Sequence, residues 1–217
     1  MLETLTGGLL GVLLGMRHAL EPDHLTAIST LMAEAPSPRR GAALGALWGL
    51  GHSLSLLLVG LALGAMHAQM PARLADAFEL AVALLLVALG VRAVGRALQV
   101  ASHAQHAHAG RDGPGRRCTF ARRSLAVGVI HGLAGSGALT AFVLADLPTV
   151  TARVTYTVLF GLGSIVGMAL LSGLAGWPLA RIGRSRAAAR GLGCVTGTLS
   201  AALGLAWGWG PASRLLS

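Results

Sequence analysis

Lysine is absent from the 217 residues, and charge of either sign is scarce, at 12% of the chain. A soluble domain ordinarily carries about a quarter. With 54% of its residues apolar, the chain has too little polar surface to cover itself in water, whereas lipid can cover the excess. Aromatic residues are few at 4%, so the net charge of +9 has no rings interleaved with it. That pattern excludes nucleic acid as the expected partner, because single strands are held by stacking as well as by charge. The two cysteines, Cys118 and Cys194, lie far apart with no C-x-x-C, so free thiols and no disulfide framework are expected. No basic residue precedes Arg17 and Glu3 stands near the start, so a cleaved signal peptide is not expected. H-E-x-x-H is missing, which removes support for a zinc protease. No nucleotide-binding motif is visible, so the chain is not expected to power anything with its own ATPase.

What is present is leucine, alanine, valine and 31 glycines. Small residues let helix backbones approach closely in a bilayer, where packing rather than hydrophobicity joins helices. A span needs about 20 apolar residues. Six stretches qualify, at about 5–31, 41–66, 75–98, 124–146, 152–177 and 188–210, separated by proline and arginine clusters. Pro36, Pro38, Arg39 and Arg40 end the first, and Pro178 is expected to end the fifth. The reading is therefore an all-α polytopic membrane protein. Residues 1–101 form a first three-helix unit, 102–123 a His/Arg-rich cytoplasmic loop and 124–217 a second three-helix unit. Loops one, three and five hold thirteen of the arginines, against three on the opposite side. That bias places the odd loops in the cytoplasm and both termini outside.

The two halves resemble each other. Gly15-Met16-Arg17-His18-Ala19-Leu20 aligns with Gly128-Val129-Ile130-His131-Gly132-Leu133, at an offset of 113. Trp48-Gly49-Leu50-Gly51-His52 aligns with Phe160-Gly161-Leu162-Gly163-Ser164 at 112, and Ala88-Leu89-Gly90-Val91 with Ala202-Leu203-Gly204-Leu205 at 114. With three spans each, the halves must lie in the membrane with opposite orientation. Inverted repeats are a common transporter design, with the substrate site near the midplane between them.

Arg17, His18, Glu21, Asp23 and His24 fall within the first apolar stretch. Each charged group at mid-bilayer costs roughly 2.5–3.5 kcal/mol, so these side chains must pair, line a wet cavity or bind something. Arg17 and Glu21 are spaced i,i+4 and can neutralise each other. On a regular helix Asp23 lies about 140° and His24 about 240° from His18, so the three do not share a face. Pro22 resolves this, because it removes a backbone donor and disfavours helix at Glu21. The helix is expected to break there, so that side chains from both sides converge, with carbonyls near residues 17 to 19 freed as extra ligands or for water. Gly49 and Gly51 let the second span approach and aim His52 at the cluster. Three imidazoles with one or two carboxylates suit nickel, cobalt or zinc rather than calcium or magnesium, and without thiolate or thioether they suit copper(I) poorly. Ligation needs neutral imidazole, so acid is expected to weaken binding.

Arg17-His18-Ala19-Leu20-Glu21-Pro22-Asp23-His24 resembles the H-x4-D-H signature of the nickel/cobalt transporter superfamily, and Leu50-Gly51-His52-Ser53 its second-helix motif. His131-Gly132-Leu133-Ala134-Gly135-Ser136-Gly137-Ala138-Leu139 is similar to the fourth-span motif of its short six-helix, urease-accessory-type branch. The resemblance covers nearly the whole chain. It implies a multi-pass permease of the bacterial inner membrane that carries Ni2+ or Co2+ as substrate, with no permanently bound cofactor. His18, Asp23, His24 and His52 carry over as metal residues, and a cytoplasmic metallochaperone or metalloenzyme is implied as recipient. One departure is Glu21-Pro22, where the family usually has Asp-Ala.

Other residues admit two readings. Glu21 is a ligand or only the partner of Arg17. His131 is a secondary ligand or a packed histidine. Ser136 and Ser164 are read as packing residues before ligands. His103, His106 and His108 form a His-rich tract that binds metal or is merely solvated, and the tract leaves efflux open beside uptake. The chain is not expected to be an enzyme. The competing enzymatic reading, a rhomboid-like intramembrane serine protease on Ser136 and His131, fits badly. Residue 134 is alanine where G-x-S-G needs glycine, and His131 precedes Ser136 by five residues in the same span.

Overall fold

The computed structural model describes residues 2–33, 37–66, 70–99, 114–146, 149–182 and 185–217. His67, His103, His106 and His108 lie outside the described residues, as does the side chain of Ser136. The order is α1 (Leu2–His18), α2 (Pro22–Ala33), α3 (Pro38–Ala65), α4 (Ala72–Gln99), α5 (Pro114–Asp146), α6 (Val150–Ile182) and α7 (Arg186–Leu216). Every regular element among the described residues is a helix, as the composition requires.

The expected break in the first span is present. α1 stops at His18 and α2 starts at Pro22. The backbone between them tightens, with the N–H of Leu20 donating to the Arg17 carbonyl (2.9 Å) and that of Glu21 to the His18 carbonyl (3.0 Å). Proline at the first position of α2 loses no helical bond and has the right φ already. Two expectations need correction. Pro178 does not end α6, which runs on to Ile182; the proline forfeits its own bond to the preceding turn, and the helix continues past it. The stretch expected as loop over 102–123 is helical from Pro114 onward, again with proline at the first helical position.

Four described helices, α3, α4, α6 and α7, are long and apolar enough to cross a membrane. Their surfaces agree with that. Leu58, Leu84, Leu174 and Leu205 are 59%, 60%, 71% and 67% exposed, while His52, Ser164, Ser172 and Ser200 are wholly buried. A water-soluble protein distributes these residue types the other way; here lipid is the solvent that leucine faces. Buried Ser200 Oγ donates to the neighbouring Leu86 carbonyl at 2.8 Å, while buried Ser172 Oγ finds no partner among the described residues. Arg181 lies over the Trp177 ring at 3.8 Å near the end of α6, a pairing typical of the membrane–water boundary.

α3 packs along both α5 and α6, α1 along α6, and α4 along α7, while α2 bridges to α4 and α7. The tightest crossings are made at glycines. A Cβ on Gly15 would collide with the Phe160 carbonyl, and one on Gly128 with the Trp48 carbonyl. These contacts bring α1 against α6 and α5 against α3 at the level of the histidines.

Substitution at these crossings separates packing from helix propensity. Gly128→Ala is expected to destabilise the detergent-solubilised protein by about 1–3 kcal/mol or more, since backbone has to move aside. Gly95 has open space for 4 Å around the point where a methyl group would stand. It should accept alanine with a gain of up to about 1 kcal/mol from helix propensity. Thermal unfolding followed by circular dichroism reads both; equal stability of the two variants would refute the close-approach account.

Candidate metal centre

The break in the first span sets where the polar side chains stand. His18 is the last residue of α1, Glu21 lies in the link, and Asp23 and His24 open α2. Asp23 sits in the first turn of α2, where the unpaired N–H groups and the helix dipole favour a carboxylate. α3 contributes Trp48 and His52, and α5 contributes His131. The glycine crossings put these helices close enough for the rings to meet.

His18 Nε2 lies 3.0 Å from His52 Nε2, and His18 Nδ1 lies 2.8 Å from Glu21 Oε1. His24 Nδ1 is 3.2 Å from Asp23 Oδ1, and Asp23 Oδ2 is 3.5 Å from His131 Nε2. The ring of His24 is central, with centroids 4.6 Å from His18, 5.3 Å from His52 and 5.2 Å from His131. One donor atom each from His18, His24 and His52 falls within 4.8 Å of the other two, and the same is true of Glu21, Asp23 and His24. Donors bound at roughly 2.0–2.1 Å to one ion stand about 3–4 Å apart, so the first set needs only a small contraction.

The inner part of the cluster is buried and under-satisfied. His24, His52 and His131 are 2%, 0% and 3% exposed. His24 Nε2, His52 Nδ1, both ring nitrogens of His131 and Trp48 Nε1 are buried without a hydrogen-bond partner. Each such group costs about 1–3 kcal/mol, and several in one place are hard to explain by packing alone. Glu21 turns to His18 and not to Arg17, whose side chain is exposed. The expected Arg17–Glu21 neutralisation is therefore absent. With neutral imidazoles the cluster carries the two carboxylate charges of Asp23 and Glu21, which one divalent cation balances.

His18, Glu21, Asp23, His24 and His52 are thus brought together, and His131, readable either way from sequence, joins them. Ser164 instead donates to the carbonyls of Phe160 (3.0 Å) and Gly15 (3.3 Å). The carbonyls of Arg17 and His18, expected to be free, are occupied by the tight turn into α2. Trp48 is a member of the centre that sequence reasoning did not single out. It stacks on His24 at 5.4 Å and meets His131 edge-on at 5.4 Å. Its place at the head of the matched segment Trp48–His52 is the signal that could have found it.

No family model matches the chain, and no solved structure does. Over 199 residues the chain is 29% identical to urease accessory protein UreH of Bacillus sp. (strain TB-90), spanning 90% of this chain and 87% of that one. This agrees with the resemblance to the urease-accessory-type branch read from the motifs. It also agrees with the expectation that the chain is not an enzyme.

Trp48 lies against the rings of His24 and His131, whereas Trp177, Trp207 and Trp209 are exposed on the outer surface. Titration of the purified protein with Co2+ should quench a saturable part of its emission. That part should vanish in Trp48→Phe and persist in Trp209→Phe. Undiminished quenching in Trp48→Phe places the ion elsewhere.

Proposed function

We propose that this relative of urease accessory protein UreH is a membrane permease for a divalent transition-metal cation, Ni2+ or Co2+ before Zn2+. The observation that carries the reading is the convergence of His18, Asp23, His24, His52 and His131 from α1, α2, α3 and α5 at a helix break, buried among helices whose outer faces are leucine. A doubly charged, under-satisfied cluster in that setting is costly when empty. Nitrogen and carboxylate donors without thiolate select borderline divalent cations. His18, Asp23, His24 and His52 are the principal ligands of this reading, with Glu21 as a further donor and His131 secondary to them.

The fold reading that goes with it has six spans, with α1 and α2 together forming the first and α5 the fourth, arranged as an inverted repeat. What supports the repeat is that the main helix pairings survive exchange of the halves, although α2-on-α4 and α5-on-α6 have no counterpart of similar extent among the described residues. Replacing α1–α2 by α5, α3 by α6 and α4 by α7 turns α1-on-α6 into α5-on-α3 and α2-on-α7 into α5-on-α4, all of which occur. Individual contacts follow the same rule. Gly15 against Phe160 becomes Gly128 against Trp48, Gly163 against Val12 becomes Gly51 against Leu125, and Gly90 against Gly197 becomes Gly204 against Ala83. Partners under this exchange are 112 to 114 residues apart.

In this reading the protein lies in a bacterial inner membrane, the arginine-rich odd loops with the His-rich tract face the cytoplasm, and both termini lie outside. Uptake that supplies a cytoplasmic metallochaperone or metalloenzyme fits the accessory role named for the relative; efflux through the same fold is separated from it by the direction of flux. The substrate releases its hydration waters as Asp23 and the imidazoles take their places, and the two repeats rock around it.

Flux of radiolabelled Ni2+, Co2+ and Zn2+ into proteoliposomes tests this reading. Asp23→Asn and His24→Ala are each expected to lower Ni2+ or Co2+ flux by about tenfold or more, the scale on which altered metal shells act. Ser136→Ala, which abolishes any serine-protease chemistry, should leave flux unchanged. Wild-type flux in Asp23→Asn sinks the assignment.

A further inference from the structure

We propose that the centre is two half-sites sharing His24, and that His131 takes the cation over from His18 as it crosses the protein. This deepens the permease reading and rests on it. The first half-site is His18, His24 and His52, whose donor atoms already cluster. The second is Asp23, His24 and His131, with Asp23 offering Oδ1 toward His24 and Oδ2 toward His131.

Three observations carry the inference. First, His18 and His131 occupy matched positions, each three residues after a crossing glycine, Gly15 or Gly128. Each ring then lies against the aromatic residue that heads the matched segment of the other half. His18 is 5.4 Å from Phe160, and His131 is 5.4 Å from Trp48. His24, which has no matched histidine, sits between them. Second, His131 is buried with no hydrogen-bond partner at Nδ1 and only the Asp23 carboxylate, 3.5 Å away, facing Nε2. A histidine retained only for packing ordinarily satisfies at least one.

Third, the two ends differ in access. The side chains of His18 and Glu21 are 15% and 51% exposed, while that of His131 is 1% exposed. The first half-site is reachable through His18, whereas in the second the ring of His131 is sealed although Asp23 is 12% exposed. If the two halves exchange conformations, His131 becomes the reachable ring and His18 the sealed one. The half-sites are unequal in strength as well. The position matched to His52 is Ser164, whose hydroxyl is already given to carbonyls. The second half-site therefore offers two imidazoles and a carboxylate where the first offers three imidazoles. Unequal affinity on the two sides lets a cation be both captured and released.

The test uses Co2+ with the purified full-length protein and with proteoliposomes. In His131→Cys, bound Co2+ is expected to show a near-ultraviolet thiolate-to-cobalt charge-transfer band that the wild type, with Cys118 and Cys194 alone, does not show. In His131→Gln, a close match in length, equilibrium Co2+ binding should stay within about threefold of wild type, while flux falls about tenfold or more. Absence of the band from His131→Cys that still binds Co2+ overturns the hand-off. So does wild-type flux in His131→Gln, or a loss of binding that parallels the loss of flux, which makes His131 a constant ligand. A wild-type protein that neither binds nor carries Co2+ instead defeats the permease reading itself.

Discussion

A proline ring at position 22 cannot sit inside a continuous helix without removing a backbone bond and crowding the preceding turn. The rest of the centre depends on that constraint. On an unbroken helix His18, Asp23 and His24 would point in different directions around the axis. With α1 closed at His18 and α2 restarted at Pro22, the end of one helix and the first turn of the next face the same space. The same break gives Asp23 a helix N-terminus to stand on, and the tight turn consumes the carbonyls that a looser break would have left open.

The break only matters because other helices can come close to it. Glycine at the crossings lets α6 lie on α1 and α3 lie on α5 with backbone in contact. In hydrocarbon that contact is what holds helices together, because lipid tails are as apolar as leucine and give no drive to associate. Close crossings also keep lipid and bulk water away from the imidazoles. The outer leucines, the inner serines and the buried histidines are one consequence of this arrangement: lipid takes the apolar faces, and the few polar groups have nowhere to go but the interior.

In the permease reading, charge links this packing to function. The buried carboxylate of Asp23 and the more exposed one of Glu21, set beside the imidazoles, attract a divalent cation, yet transport requires that the ion leave again. A centre split between three imidazoles on one side and two imidazoles with a carboxylate on the other meets both requirements, and the near-symmetry of the helix pairings offers a motion that exposes each in turn.

Much of this was legible locally. Hydropathy required lipid and helices, since no soluble arrangement hides so many leucines. Pro22 announced the break, and ionisable residues beside it marked the centre, because local stereochemistry and the cost of charge in hydrocarbon act within a few residues. Other features were decided by tertiary structure. His131 enters the cluster, and Trp48 lines it, only because α5 and α3 cross at Gly128. Glu21 turns to His18 rather than Arg17 because the link is a tight turn and not a helical one. Pro178 stays within α6 although its residue type signals an end. Such outcomes depend on which faces meet and on who the neighbours are, and a linear sequence records neither until the chain has packed.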